Sequence, residues 1–359
     1  MKNNRPVIEW NLVKGTNMEY QRATICSKLG NLQANPFLKE RSLSECSFGK
    51  TVNKELVHRA AVSEVFLTDA NRIGEDRFYT GAHLPRTHSY YNDDPSKTHH
   101  ENIVLLEVCR QSSIIVSHNY YDAPLDAKFI FNEAKFHIEN NEALLVKSTP
   151  SYVLTEVEVI SKEERNGKIN GLTFEMRIYV DGKLAATKLM DITWLNKVIW
   201  NKVRSKALKF AEAFSDITFT RKDNLHALTH VIGRTNVENV VLHSVEIRNG
   251  KYVSGIRVNK SHPAMFDHPL DHVPGMLLIE AFRQMAFYVA NRKYDLRFAD
   301  IYMKICEINF TKFTEFNPIA YCFVDSVYLD DKSGDISLEL SVTQNDELTA
   351  LCHIKIARK

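Results

Sequence analysis

Apolar and polar positions along the chain follow two rhythms, and each rhythm occurs twice. Met276–Ala286 reads "MLLIEAFRQMA" and Leu105–Gln111 reads "LLEVCRQ". Both are apolar around the whole girth of a helix, which predicts helices enclosed by other structure. Their interruptions coincide: Leu105–Gln111 and Leu278–Gln284 both spell L-x-E-x-x-R-Q, 173 residues apart. Downstream of each come alternating stretches that meet at two-residue turns, "LTFEMRIYV-DG-KLAATKLMDI" at Asp181-Gly182 and "ISLELSVTQ-ND-ELTALCHIKI" at Asn345-Asp346, with another hairpin at Asn249-Gly250. Upstream, "VSEVFLTD" (Val62–Asp69) loosely matches "VENVVLHS" (Val237–Ser244), and His88 matches His262.

Each half therefore predicts strand and loop, one long buried helix, then several antiparallel strands. That is a duplicated α+β unit, each sheet folded around its helix. The first unit spans 55–195 and the second 223–359. Residues 1–54 match neither half and read as an extension packed on the first unit. Residues 196–222 read as a basic amphipathic linker, with Leu195, Val198, Ile199, Val203 and Phe210 approximating one apolar face and five Lys or Arg residues elsewhere.

The second helix has a distinctive entry. Pro274-Gly275 ends the preceding loop, and the first helical turn leaves backbone N–H groups unpaired at the positive end of the helix dipole. Gly275 lets a ligand approach that backbone, so a carbonyl placed against Gly275 and Met276 would be polarised. One turn deeper, Glu280 and Arg283 are neighbours at i, i+3, and Glu280 and Gln284 at i, i+4. Burying unpaired charges costs several kcal/mol each, so this is either a satisfied structural pair or a working site. Glu107, Arg110 and Gln111 repeat the arrangement in the first half, which lacks the Pro-Gly turn and carries the insertion "NDDPSKTHHEN".

Composition narrows the classes. A formal net charge of +2 over 359 residues gives no global attraction to nucleic acid. No run approaches about 18 apolar residues, so no membrane span is expected, and the start lacks the apolar core of a signal peptide. The six cysteines show no C-x-x-C spacing, and a reduced cytoplasm is the simple reading. His268, Asp271 and His272 invite a metal, but Pro269 and Pro274 argue against a shared helical face, and loop-fixing hydrogen bonds are the preferred reading. No P-loop, G-x-G-x-x-G or G-x-S-x-G is present, so neither metal nor cofactor is expected.

P-G-x-x-x-x-E at the start of a buried helix resembles the hot-dog dehydratases of fatty acid synthesis, in which the glutamate is catalytic. Their catalytic histidine position is Phe266 here, with His268 nearby but out of register. "FDHPLDHVPGMLLIEAFRQ", together with "VHRAAVSEVFLTD", "RFYTGAHLPRTHSYY" and "LLEVCRQ", strongly resembles the A-factor biosynthesis hot-dog family over roughly residues 55 to 355. The resemblance implies a tandem double hot-dog acyltransferase without cofactors. It would join a β-ketoacyl group, carried as a thioester on acyl carrier protein, to the hydroxyl of dihydroxyacetone phosphate, on the way to a γ-butyrolactone signal. It places Glu280 as the base with its pKa raised by burial, Gly275 and Met276 at the thioester oxygen, and Arg283 or Arg110 on the phosphate. Glu107 would face Glu280 across one site, with His268, Gln284 and Gln111 contacting substrate. The rivals are a dehydratase or thioesterase on acyl thioesters and a non-catalytic acyl-binding protein. Two fused units make an internal pseudo-dimer, compatible with a monomer or a homodimer.

Overall fold

The computed structural model describes residues 29, 42–94, 96–212 and 225–359. The first half contains β1 (Leu67–Arg72), β2 (Arg77–Leu84), α1 (Asn102–Tyr120), β3 (Lys128–Ile138), β4 (Ser151–Arg165), β5 (Lys168–Val180) and β6 (Lys183–Leu195). Two connecting helices follow, α2 (Lys197–Glu212) and α3 (Leu225–Ile232). The second half repeats the series with β7 (Glu246–Arg248), β8 (Lys251–Gly255), α4 (Gly275–Tyr294), β9 (Ile301–Phe310), β10 (Tyr321–Leu329), β11 (Ile336–Gln344) and β12 (Glu347–Arg358).

All these strands form one antiparallel sheet, in the order β1-β2-β4-β5-β6-β3-β9-β12-β11-β10-β8-β7. From the centre outward, 3-6-5-4-2-1 on one side is mirrored by 9-12-11-10-8-7 on the other, a pseudo-two-fold duplication. The seam is β3 against β9, where Glu133–His137 pairs with Ile305–Asn309. The hairpins turn where the alternation broke. Asp181-Gly182, Asn249-Gly250 and Asn345-Asp346 all have positive φ at both positions, which the tight twisted turn requires. Asn166-Gly167, between β4 and β5, is a fourth such turn.

The two long helices are buried on nearly every side because each half's strands wrap its own helix: α1 touches β1 to β5, and α4 touches β9 to β12. This is the tandem double hot-dog arrangement. The described part of the N-terminal extension lies on the first unit, Leu43 and Cys46 packing on Tyr79, Leu154 and Tyr179. Gly81 permits that approach, since a Cβ there would sit 2.9 Å from the Cys46 Cβ. The rest of the extension, and residues 213–224 of the linker, lie outside the described residues.

The linker helix departs from its expected polarity. Val198 (79% exposed) and Val203 (50%) face outward, and among the described side chains of α2 those buried are Trp200 and Arg204. Arg204 makes two bonds to Glu315 (2.6 and 2.7 Å) and one to the Asp271 carbonyl (2.9 Å), while the Trp200 indole N–H donates to Asp271 (3.0 Å). A fork of charge-assisted bonds has outweighed the apolar face. Arg204→Ala is expected to cost about 1–3 kcal/mol and to speed amide exchange in residues 197–205. No change in exchange would mean that α2 is held by something else.

Among the described residues no helix is long and apolar enough to cross a membrane. Cys46, Cys109, Cys306, Cys322 and Cys352 are free thiols.

Candidate active site

Glu280 is fully buried, and both its oxygens are occupied. One accepts from Arg283 Nε (2.8 Å) and the Tyr90 hydroxyl (3.3 Å). The other accepts from Arg283 Nη2 (2.8 Å), Arg234 Nε (2.8 Å) and Gln284 Nε2 (2.5 Å). Glu107 in α1 is held the same way, by Arg110 Nε (2.8 Å) and Nη2 (3.0 Å), Arg59 Nε (3.1 Å) and Gln111 Nε2 (2.7 Å). Burial alone pushes each carboxyl up. The flanking guanidiniums reverse this, holding Glu107 down to about 2 and Glu280 well below the usual carboxylate range. The carboxyl expected to be raised by burial is thus lowered instead: Glu280 is a fully bonded anion at neutral pH.

Arg59 and Arg234 were not anticipated, although a signal was present. Arg59–Val65 "RAAVSEV" and Arg234–Val240 "RTNVENV" share R-x-x-V-x-[EN]-V, extending the matched segments three residues upstream. Each of these arginines also crosses to the other half: Arg59 Nη1 donates to the Ala264 carbonyl (3.3 Å) and Arg234 Nη1 to the Tyr90 carbonyl (2.5 Å). His88 and His262 shape those loops. Each accepts at Nδ1 from the amides two and three residues onward, and its Nε2 faces Glu64 (3.2 Å) or Asn239 (2.8 Å). Gln111 and Gln284 were expected at substrate; instead their amides bond the backbone of Glu64 and Phe66, and of Asn239 and Val241.

The two triplets adjoin different cavities. The larger, about 480 Å³, is lined by Gly275 and Met276 from the second half and by Arg59, Arg110 and Leu106 from the first. Its outer part carries His268 and the exposed Lys128 and Lys197; its inner part is lined by Leu106, Ile114, Met190, Ile279, Cys306 and Ile308. At the N-terminus of α4, the amides of Leu277 and Leu278 turn back to the Pro274 carbonyl. Those of Gly275 and Met276 bond none of the described residues and have no side-chain cap. Gly275 is needed there, because a Cβ would come within 3.0 Å of the Phe310 ring.

The pseudo-equivalent space, at the N-terminus of α1, measures about 20 Å³. There the insertion supplies a plug: Glu101, the N-cap residue matching Pro274, lies 3.5 Å from Arg283 Nη1 and 2.7 Å from Lys97 Nζ. The shared site expected between Glu107 and Glu280 is thus replaced by a hybrid. The second half's entry turn meets the first half's glutamate–arginine pair, while Glu280 and Arg283 adjoin the closed side. Of the residues expected in the site, Arg110, Gly275, Met276 and His268 line the open cavity, with Glu107 directly behind Arg110.

Arg110 Nη1 bonds none of the described residues, whereas Arg283 Nη1 faces a carboxylate. His268 is held below its usual pKa by burial and by Arg110 and Arg59, so its imidazole is neutral at pH 7. Asp267 lies 3.7 Å from His268 Nδ1, but its oxygens take the amides of Ala60 (2.6 Å) and Ala61 (2.9 Å). Asp271 and His272 bond each other at 2.6 Å and fix the loop to α2. Among the described residues no group of three His, Cys, Asp or Glu side chains could hold a metal ion.

The A-factor biosynthesis hotdog domain model matches residues 44–196 and 202–357. A 2-oxo-3-(phosphooxy)propyl 3-oxoalkanoate synthase of Streptomyces virginiae is 30% identical over 236 residues, covering 66% of this chain and 76% of that protein. The protein of the same name from Streptomyces griseus is 30% identical over 242 residues, covering 67% and 75%. Among solved structures, a putative oleoyl thioesterase from Lactobacillus plantarum superposes with a TM-score of 0.47 at 8% identity, over 79% of this chain and 95% of that one. The 12:0-ACP thioesterase from Umbellularia californica gives 0.44 at 9%, over 79% and 94%. With one family model matching both halves, the chain belongs to the A-factor biosynthesis hotdog family.

Proposed function

We propose that this protein is an acyltransferase that joins a 3-oxoacyl group, delivered as a thioester on acyl carrier protein, to the hydroxyl of dihydroxyacetone phosphate. The observation that carries the reading is the open cavity itself. One space combines an apolar inner part for an acyl chain, two unbonded helix N-terminal amides for a carbonyl oxygen, and a cationic mouth for a phosphate. The relatives' product is an ester of those two components by its name.

The donor's thioester oxygen rests on the Gly275 and Met276 amides, which polarise the carbonyl carbon. The acceptor's phosphate sits at the mouth, on Arg110 Nη1 and the ammonium groups of Lys128 and Lys197. The closed cavity supports this placement of an anion, since there the equivalent Arg283 Nη1 faces the Glu101 carboxylate. Neutral His268 takes the proton of the acceptor hydroxyl as its oxygen attacks. The tetrahedral oxyanion is held by the same amides. Its collapse breaks the carbon–sulfur bond, and the departing thiolate recovers the proton from His268, leaving ester and free thiol. Glu107 and Glu280 take no proton. Glu107 holds Arg110 and Arg59 in place, and Glu280 does the same for Arg283 and Arg234.

The test is a mass-spectrometric assay of purified protein with a 3-oxoacyl carrier-protein thioester, with and without dihydroxyacetone phosphate. An acyl-phosphoester mass that requires both substrates is the expected result. Free 3-oxo acid formed equally well without the acceptor would make the protein a thioesterase instead.

A further inference from the structure

The wall of the cavity carries a buried ammonium that neither the repeat nor the mechanism above uses. Lys188 lies on β6, lines the open cavity, and is only 4% exposed. It shares its face of the strand with Ala186, Met190, Ile192 and Trp194. Its cross-strand neighbours are Phe136 on β3 and Met176 on β5, both fully buried. Its ammonium makes no hydrogen bond or ion pair with any described residue. The carboxylate it senses, Glu107, already receives Arg59, Arg110 and Gln111 on its two oxygens. An unpaired ammonium in an apolar wall is costly, so its acceptor belongs to the ligand.

We propose that Lys188 is the specificity-determining residue for the acyl donor, donating a hydrogen bond to the 3-oxo carbonyl oxygen. This rests on the acyltransferase reading above. A saturated acyl chain entering the inner cavity would bring no acceptor and would leave the ammonium stranded. A 3-oxo chain carries one oxygen past the thioester, on the carbon two bonds beyond C1, so that oxygen enters the apolar region close behind the carbonyl held at Gly275 and Met276. A phosphate is a poorer match, because the mouth already gathers Arg110, Lys128 and Lys197 for it in a wetter setting. Burial also lowers the Lys188 pKa, so a bound acceptor would help keep the proton on the amine.

The experiment measures binding by calorimetry of two hydrolysis-resistant probes, the pantetheine amide isosteres of a 3-oxoacyl and of a saturated acyl group of equal length. The wild-type protein is expected to bind the 3-oxo probe at least about tenfold more tightly. Lys188→Met should abolish that preference while leaving the saturated probe bound as well or better. Lys188→Gln, which keeps a donor, should retain part of it and carries the test if the Met variant fails to fold. Equal binding of the two probes by wild type, no binding of either, or an equal loss of both in the variants would overturn the proposal. So would a raised KM for dihydroxyacetone phosphate with acyl preference intact, which would move Lys188 to the phosphate. The transfer assay is run in parallel, so the two readings fail separately. Discrimination that depends on Lys188 without ester formation would sink the acyltransferase and leave Lys188 assigned.

Discussion

Glu280→Ala is expected to lower folding stability by about 3–5 kcal/mol. The carboxylate is fully buried and receives bonds from Arg283, Arg234, Gln284 and Tyr90. Removing it leaves two guanidiniums close together in the core, with only the Glu101 and Asp93 carboxylates, at 3.5 and 3.7 Å, left to balance them. Urea denaturation of parent and variant gives the difference directly. A variant as stable as its parent, yet inactive in transfer, would return Glu280 to the chemistry and remove it from the scaffold. The same anions set an acid limit. Glu107 drops from an ordinary 4.5 to about 2 on folding, and Glu280 shifts in the same direction. Depressed carboxyl pKa values add stability that is complete above about 4.5 and is lost as pH falls toward the folded value. Stability should therefore decline steadily below about pH 4.5, and less so in Glu280→Gln, which has no carboxyl to titrate there.

His268→Ala is expected to lower kcat by about 10²–10⁴ with stability nearly unchanged, because the imidazole lines the cavity and its Nδ1 bonds none of the described residues. Its pKa is held below 6.5, so in the parent the acid limb of kcat/KM should fall below pH 6.5, where the imidazole becomes protonated. His268→Gln should keep substrate binding without restoring turnover, which separates a lost base from a lost contact. A drop in kcat of less than about tenfold, or an acid limb unchanged in the variant, would exclude His268 as the base.

The repeat made much of the fold legible. L-x-E-x-x-R-Q located both central helices, and turn chemistry located three hairpins, because backbone sign preferences and alternation are local properties. What holds the linker was not legible, because its apolar pattern is local: Arg204 bonds Glu315 and Asp271 across the fold, while Val198 and Val203 stay exposed. Arg59 and Arg234 were recoverable from R-x-x-V-x-[EN]-V. Lys188 also left a trace, as a lysine on the inward parity of a strand otherwise filled with Ala, Met, Ile and Trp.

The sequence by itself determined that there are two units, where their helices and turns fall, and which residue types are concentrated at the α4 entry turn. Only the tertiary structure decided which of the two triplets adjoins an open cavity. The pseudo-two-fold brings the second half's Pro-Gly entry to the first half's Arg110, and lets the insertion's Lys97 and Glu101 fill the matching space beside Arg283. The carboxylate pKa values were decided there as well. A buried glutamate rises or falls according to the cations around it, and two of those cations, Arg59 and Arg234, lie 48 and 46 residues away in sequence from the glutamates they hold.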